Sequence, residues 1–288
     1  MSTIEQTRAL AEAERTLTDD KARAGRAAGT RRTRRAFLNL AIRVASVTTF
    51  LLLWEVGVTY LKIDPILFTV PSAIAVAAVE MIGSGELWNY LYPSLVVLFW
   101  GFSAAVVFGI GIGLLLSRFW VLDVALSVYI TFLYSIPSVA LVPLIVLWAG
   151  YEQTAKIIIL FMFAFFPMVI NTYQGVKAVD PKLIEVGRAF RCHEGQLWAN
   201  IVIPASLPFI VTGLRLALGR GLIGMVLADL YTALSGVGYL IARTAATYQV
   251  NRMFVPIVAL GLLGVTLTAL LRFAEKYVAP WTNASDED

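Results

Sequence analysis

The chain has 288 residues, of which 59% are hydrophobic and 15% are charged, and its formal net charge is +4. Soluble domains contain about 45–50% apolar and about 25% charged residues, so this composition argues against a soluble globular protein. One cysteine and one histidine exclude an internal disulfide and a metal site built from these residue types. The basic residues lie mostly beside apolar segments, so we predict no nucleic-acid partner and no bound metal.

The first 36 residues are polar and end in a basic run at positions 31–35. This composition predicts a largely disordered tail whose basic end contacts anionic lipid headgroups. The chain does not open on a short apolar run followed by a small-residue cleavage site, so we predict no cleaved signal peptide. Residues 281–288 are predicted to form a second tail, which leaves residues 37–280 as one transmembrane domain.

Six apolar stretches between these tails are long enough to cross about 30 Å of hydrocarbon as helices. They cover residues 42–61, 95–116, 124–148, 157–173, 209–230 and 255–271. Pro137 and Pro143 interrupt the third stretch, and a broken helix is tolerated only where protein or a cavity covers the freed backbone groups. We therefore expect the third span to pack inward or to line a pathway. Between the first two spans, Val70-Pro71-Ser72 predicts the start of a short surface helix.

The lysine and arginine residues are distributed unevenly between the two sides of these spans. Sixteen fall on the side of the N-terminus, four fall on the opposite side, and three lie within or at the edge of spans. The positive-inside rule therefore places both termini in the cytoplasm. The same orientation makes residues 176–206 the longest cytoplasmic loop, and the predicted fold class is an all-α membrane protein with six transmembrane helices.

Small residues recur every four positions in the second span and therefore share one helix face. They are Gly101, Ala105, Gly109 and Gly113. This spacing lets two helices approach closely in lipid, where apolar burial alone gives no drive for association. We favour packing within one subunit, and a contact between two subunits is the alternative.

The fifth span carries Arg215 and Arg220, although a cation at the bilayer centre costs about 2.5–3.5 kcal/mol on insertion scales. Arg215 lies about one turn inside the cytoplasmic boundary, so its side chain can extend to the interface. Arg220 lies deeper. The simpler interpretation is a structural ion pair, with Glu55 as a candidate partner. The alternative is that Arg220 faces a pathway and attracts an anion.

The cytoplasmic loop at 176–206 predicts a helix with interleaved charged and apolar residues, followed by a turn at Pro204 into the fifth span. Phe190, Leu197 and Trp198 offer apolar contact there, so we expect a docking surface for a partner. Cys192 and His193 are interpreted as solvated residues that form no site.

This loop resembles the cytoplasmic signature of binding-protein-dependent ABC transporter permeases. That signature is Glu-Ala-Ala, three residues, Gly, nine residues, Ile, one residue, and Leu-Pro. Glu185, Ile201 and Pro204 match this signature at the right spacing. Ile203 conservatively replaces its Leu. Val186 and Gly187 stand where the family has Ala, and Arg191 stands where it has Gly.

Further segments within residues 45–280 are similar to the subgroup of this family that imports nitrate, sulfonates and taurine. They are Leu53-Trp54-Glu55, Val70-Pro71-Ser72, Gly85-Glu86-Leu87-Trp88, Phe166-Pro167, Asn171-Thr172, Gly213-Leu214-Arg215 and the segment 235–241. The ordered set is more specific than the loop motif alone. On this resemblance we expect the fold of a type I ABC importer permease.

The resemblance implies a permease subunit of the bacterial inner membrane that forms the translocation pathway for a solute. In this family the loop helix sits on a cytoplasmic ATPase subunit, and two such ATPase copies drive two permeases. An extracytoplasmic binding protein delivers the solute. A homodimer is the simplest arrangement, and pairing with a sister permease is the alternative. The sequence lacks the Gly-x4-Gly-Lys-Ser/Thr phosphate loop, so we expect ATP and Mg on the separate ATPase and no catalytic residue here.

The resemblance also suggests roles for individual residues. The coupling loop comprises Glu185, Val186, Gly187, Phe190, Arg191, Leu197, Ile201 and Pro204. Glu185 is expected to cap or salt-bridge the loop helix, whereas Phe190 and Leu197 are expected to contact the ATPase. The candidates for the translocation pathway are Pro137, Asn171 and Arg220.

An ion-coupled secondary transporter is the main rival interpretation. It should show repeated halves and acidic residues near the midplane, but the sequence has no clear internal repeat and the basic loop has no role in such a protein. A membrane enzyme would need a convergent catalytic cluster that the sequence does not indicate. For the cargo, the subgroup suggests a sulfonate, taurine, nitrate or an aromatic carboxylate, and Arg220 favours an anion.

Overall fold

The computed structural model describes residues 37–232 and 234–278, and both predicted tails lie outside the described residues. The described residues form helices joined by short connections, with no strand among them. The helices are α1 (Phe37–Tyr60), α2 (Pro71–Gly83), α3 (Glu86–Arg118), α4 (Trp120–Ser135), α5 (Ser138–Ala149), α6 (Gln153–Lys177), α7 (Pro181–Ala189), α8 (Glu194–Leu197), α9 (Ile203–Thr232), α10 (Val237–Ala246) and α11 (Val250–Val278). A π-helical turn (Trp198–Val202) joins α8 to α9.

The chain divides into two compact units at residue 64. The described part of the first unit contains α1, whose 24 residues give a length of about 36 Å, enough to cross a membrane. The second unit begins at Pro65 and contains all the remaining helices. The short helix expected after Val70 is present as α2, which has Pro71 at its first position.

Five of the described helices are long and apolar enough to span a membrane, and a sixth span results if the bent pair α4–α5 is counted as one. The five are α1, α3, α6, the continuous run Glu194–Thr232 and α11. Several extend beyond the predicted spans, because helical backbone continues into the polar residues that an apolar pattern leaves out. The prediction of an all-helical protein with six apolar segments is confirmed.

The third predicted span is not one straight helix. It is broken between α4 and α5, which meet at an angle of 98°. Ile136 has an extended backbone (ψ 129°) and Pro137 is the N-cap of α5. The proline ring disfavours helical backbone at the preceding residue, so the break falls where the sequence requires it. Pro143, by contrast, lies inside α5 without breaking it.

The core of the second unit is built around α6, which packs against α3 on one side and α9 on the other. All four small residues of the α3 stripe are buried. A methyl group added at Gly109 would lie 2.6 Å from Cβ of Met168, and one at Gly113 would lie 2.7 Å from Cβ of Thr172. The stripe therefore lets α3 pack closely on α6 of the same chain, which agrees with packing within one subunit.

Glycines also set the approach of α9 to α6. A methyl group at Gly213 would lie 2.8 Å from Cβ of Asn171, and one at Gly224 would lie 2.9 Å from Cβ of Phe163. On the α6 side, Gly175 lies against Phe209 in the same way. Both faces of α6 thus depend on positions without a side chain, which is how helices associate tightly in lipid.

We predict that Gly109→Ala destabilises the protein by about 1–3 kcal/mol, because the added methyl group overpacks the interface between α3 and α6. Gly111→Ala is the matched control, since a methyl group there meets no atom within 4 Å. Thermal unfolding of the detergent-solubilised variants measures both effects. Equal unfolding midpoints for the two variants would contradict the close approach.

Candidate functional site

The cytoplasmic loop between α6 and α9 begins with a well-defined helix start. Asp180 is the N-cap of α7, and its Oδ1 accepts a hydrogen bond from the backbone N–H of Lys182 at 2.9 Å. Pro181 occupies the first helical position, where its missing N–H costs nothing. The sequence predicts Glu185 as the capping or salt-bridging residue, which is wrong. Glu185 lies mid-helix, is exposed, and has no hydrogen bond or ion pair to other described residues.

The end of α7 is a Schellman motif with an arginine at its left-handed position. The backbone N–H of Cys192 donates to the carbonyl of Gly187 at 3.0 Å, and that of Arg191 donates to the carbonyl of Arg188 at 2.9 Å. Arg191 has φ +54°, a conformation for which glycine is the usual residue. The position that holds Gly in the family signature is therefore the one where the chain turns left-handed, and the turn forms here without Gly.

The next helix also begins at a side-chain cap. Nδ1 of His193 accepts from the backbone N–H of Gln196 at 3.2 Å, and Oε1 of Gln196 accepts from the backbone N–H of His193 at 3.3 Å. This reciprocal pair is a capping box. His193 is therefore a structural residue of the loop, although it is exposed as the sequence predicts.

The loop has a small apolar core of its own. Val179, Leu197 and Val202 are buried together. Gly187 packs against Ile201, since a methyl group added at Gly187 would lie 2.8 Å from Cδ1 of Ile201. The signature positions Gly187 and Ile201 are therefore in contact, and through them α7 packs against the helix that leads into α9. The sequence predicts a partner contact for Leu197, but its side chain is only 4% exposed and packs inside the loop.

Three of the exposed residues on or at the end of α7 are large and apolar. Leu183, Val186 and Phe190 are exposed, with Phe190 at 78%. Their spacing of three and four residues places them on one helix face. We call these three residues the α7 face. An exposed apolar surface of this kind is a candidate contact site.

The π-helical turn at Trp198–Val202 directly precedes Pro204. Proline lacks a backbone N–H, and its ring clashes with the carbonyl four residues earlier in an α-helix. The wider turn accommodates this defect, so the helix continues from the loop into the membrane span without a break. The loop and α9 are therefore connected by one continuous helix.

Polar side-chain contacts near the surface connect the helices on the loop side of the protein. Arg118 at the end of α3 pairs with Glu194 at 3.0 Å and lies over the ring of Trp198 at 5.5 Å. Nearby, Asp123 accepts from the hydroxyl of Tyr173 at 2.8 Å and from Nζ of Lys177 at 3.0 Å. Exposed pairs of this kind contribute at most about 1 kcal/mol each.

A buried ion pair lies at the ends of α6 and α9 that are far from the cytoplasmic loop. Nζ of Lys156 is 2.8 Å from Oδ1 of Asp229, and these two residues are 3% and 0% exposed. Lys156 also donates to the carbonyl of Ser235 at 2.6 Å, while the hydroxyl of Ser94 donates to Oδ2 of Asp229 at 2.5 Å. The pair therefore joins α3, α6 and α9. The sequence indicates no such pair, because Lys156 is counted there among the four basic residues that lie outside the spans on the side opposite the N-terminus.

The segment after α9 wraps around this carboxylate. The backbone N–H of Val237 donates to Oγ of Ser94 at 2.8 Å, and that of Gly238 donates to Oδ2 of Asp229 at 3.4 Å. A methyl group at Gly236, which has φ +98°, would lie 2.1 Å from Asp229. The glycines of the 235–241 segment are therefore required by the close approach to the buried acid.

The two arginines of α9 have different surroundings. Arg215 pairs with Glu275 of α11 at 2.9 Å, a partner that the sequence does not suggest. Arg220 is exposed, and its Cζ lies 6.0 Å from the ring centroid of Tyr134. No carboxylate lies within ion-pair distance of Arg220 in the part of the chain that the structure describes.

The other two pathway candidates lie in different settings. Pro137 is exposed at the break between α4 and α5, three residues beyond Tyr134. Asn171 packs against Gly213, and its amide donates to the carbonyl of Pro167 in its own helix at 2.8 Å. Asn171 is therefore engaged in helix packing, whereas Tyr134, Pro137 and Arg220 present exposed surface.

We predict that Lys156→Met destabilises the protein by about 3–5 kcal/mol, because it leaves Asp229 buried without its cation. The double variant Lys156→Met/Asp229→Asn should recover much of this loss, since no buried charge remains. Arg215→Met, which breaks a partly exposed pair, is the control and should cost no more than about 1 kcal/mol. Thermal unfolding in detergent measures all three. A double variant no more stable than Lys156→Met would refute the role of the ion pair.

Comparison with known proteins gives a consistent match. The sequence model of the family described as "binding-protein-dependent transport system inner membrane component" matches residues 105–284. An aliphatic sulfonates transport permease protein, SsuC, of Bacillus subtilis (strain 168) is 34% identical over 214 residues, which cover 74% of this chain and 78% of SsuC. A formylaminopyrimidine transport permease protein, ThiX, of Halalkalibacterium halodurans is 30% identical over 80% of this chain and 92% of its own.

A solved structure has a similar fold. The crystal structure of an amino acid ABC transporter with histidines aligns with a TM-score of 0.54 at 18% identity. The alignment covers 69% of this chain and 97% of the solved chain. At this identity the likeness concerns the fold alone, and it agrees with the fold expected from the sequence.

Proposed function

Since the chain belongs to the family of binding-protein-dependent transport system inner membrane components, and is thus a permease subunit of an ABC importer, we propose that it moves a small anion. A sulfonate is the first candidate, with taurine, nitrate and an aromatic carboxylate as others. The observation that carries this proposal is the exposed Arg220 in the middle of a membrane-spanning helix.

Arg220 lies roughly 15 Å, or ten residues, from either end of the apolar stretch 209–230. An unpaired cation at this depth is costly against lipid, so a water-filled pathway is the more favourable surrounding. Tyr134 supports the guanidinium by cation–π contact at the break between α4 and α5. Such a cation attracts an anion and repels a cation, which gives the pathway a charge preference.

Family membership does not identify the transported solute. SsuC is named for aliphatic sulfonates, whereas ThiX is named for a formylaminopyrimidine. Both are at least 30% identical to this chain, so related permeases move solutes of different chemistry. The anion proposal therefore rests on Arg220 and is supported by the name of SsuC.

The partner arrangement follows from the family and from the loop. We infer that the α7 face docks on a cytoplasmic ATPase subunit, which binds ATP and Mg. Gly187, Leu197 and Ile201 support this face from inside the loop. Two ATPase copies, a second copy of this permease and an extracytoplasmic solute-binding protein complete the proposed importer.

The proposed mechanism is a population shift. ATP favours the arrangement in which the two ATPase subunits close, and the docked loops carry this preference to the spans. The continuous helix from Glu194 to Thr232 links each loop directly to the helix that holds Arg220. Closure of the ATPase pair thereby biases the pathway toward its outward-facing form. An ion-coupled secondary transporter would leave the α7 face without a role.

We predict that Phe190→Ala lowers ATPase affinity about 30-fold, as loss of a buried aromatic anchor typically costs about 2 kcal/mol at an interface. Arg188→Ala truncates a long exposed side chain on the opposite side of α7 and is the matched control. Co-purification with the ATPase in mild detergent and ATP-driven uptake measure the effect. Equal losses for the two variants would show that the α7 face is not the docking surface.

We predict that Arg220→Gln reduces anion uptake at least about tenfold, since one charge-assisted contact contributes about 1.5–3 kcal/mol. Arg220→Lys should retain most of the uptake. The measurement uses reconstituted importer with taurine, an alkanesulfonate, nitrate and benzoate as probes, and ATPase recovery confirms assembly. An assembled Arg220→Gln importer with unchanged uptake, or a wild-type importer that moves none of the four anions, would refute the anion proposal.

A further inference from the structure

An open groove of about 970 Å³ runs along the surface between α9 and α11. Its walls are apolar and include Leu222, Leu260 and Val265. It lies on a different part of the second unit from the α7 face and from the break that carries Tyr134. Neither the transport pathway nor the ATPase contact described above accounts for it.

Two glycines of α11 give the groove its depth. Both Gly261 and Gly264 line it. A methyl group added at Gly261 meets no atom of the described residues within 4 Å, so this position opens into the groove. At Gly264 a methyl group would lie 3.3 Å from Cδ1 of Leu222, which forms the opposite wall. A larger side chain at position 261 would therefore project from open space at its Cβ into the groove.

Two cations close one end of the groove. Arg272 and Lys276 line it, and their separation of four residues places them on the same face of α11. The nearest acid along this helix, Glu275, is already paired with Arg215 at 2.9 Å. Within residues 37–232 and 234–278, no carboxylate forms an ion pair with Arg272 or Lys276. Among the described residues, this end of the groove therefore carries two positive charges that have no carboxylate partner.

The length and orientation of the groove match one leaflet of a membrane. Gly261 and Arg272 are separated by about 16 Å along the helix, and half of a bilayer core measures about 15 Å. The distribution of lysine and arginine places the cationic end at the cytoplasmic surface, where the leaflet carries anionic lipids. An acyl chain would lie against the glycines while an anionic headgroup would reach Arg272 and Lys276.

We propose that this groove binds an anionic phospholipid of the cytoplasmic leaflet. An apolar helix from a second copy of the chain would fill the walls but would leave both cations unpaired, which is costly at a membrane boundary. A zwitterionic lipid would compensate them only partly. An anionic phospholipid satisfies the apolar walls and the charged end together.

The test measures lipid retained by the full-length importer after purification in mild detergent. Native mass spectrometry follows the binding of phosphatidylglycerol and phosphatidylethanolamine added back to delipidated protein. We expect phosphatidylglycerol to bind more tightly. Arg272→Gln/Lys276→Gln should weaken it about 30-fold, because each basic residue near an anionic surface contributes about fivefold. Gly261→Leu should abolish retention while leaving both cations in place.

Two controls separate the groove from general effects. Lys182→Gln/Arg188→Gln removes two cytoplasmic cations outside the groove and should retain the lipid. Gly111→Leu makes the same change at another glycine with open space around it and should also retain the lipid. If a groove variant fails to assemble, the comparison of the two lipids on the wild-type importer still decides the question.

Three outcomes would overturn the proposal. Equal affinity of the wild-type importer for the two lipids would show ordinary annular lipid. Loss of lipid in the control variants to the same degree would remove the groove as its site. A cross-link from the Gly261→Cys variant to a second copy of the chain would show that protein and not lipid occupies the groove.

Discussion

The close approach of α6 to α3 and α9 is the constraint on which the second unit depends. Lipid offers no hydrophobic drive for helices to associate, so their cohesion comes from tight packing and from polar contacts between them. Glycines on three helices remove the side chains that would hold the backbones apart, notably Gly109, Gly175 and Gly224. The two ends of α6 carry Lys156 and Lys177, so its placement fixes both polar clusters of this unit.

These two clusters differ in how firmly they hold the helices. The outer pair of Lys156 and Asp229 is buried, and removing one partner would leave the other as an unpaired buried charge. The inner contacts, such as Arg118 with Glu194, are exposed and are weakened by salt and by competing water. The helix ends near the coupling loop are therefore easier to move than the outer ends. This asymmetry suits a subunit that is driven from the cytoplasmic side, since the inner contacts can change while the outer cluster holds.

The sequence predicts the features that depend on local chemistry. Apolar length indicates the spans, Pro137 indicates the broken third span, and the α3 stripe indicates a close helix contact. Contacts between residues that are far apart in the sequence cannot be predicted in this way. Lys156 and Asp229 are 73 residues apart, and nothing in either neighbourhood indicates the other. The assignments of Glu185 and Leu197 were wrong for a related reason, because polarity and size do not reveal which side of a short helix faces its own core.

The left-handed Arg191 has a consequence for how relatives of this protein are recognised. The consensus at this position encodes a backbone shape, and here the shape persists through two main-chain hydrogen bonds although its customary residue is gone. A search pattern that requires glycine at this position would miss chains such as this one. This chain keeps the bend without the glycine, so a comparison of loop conformations would recognise it where a comparison of residue types at this position fails.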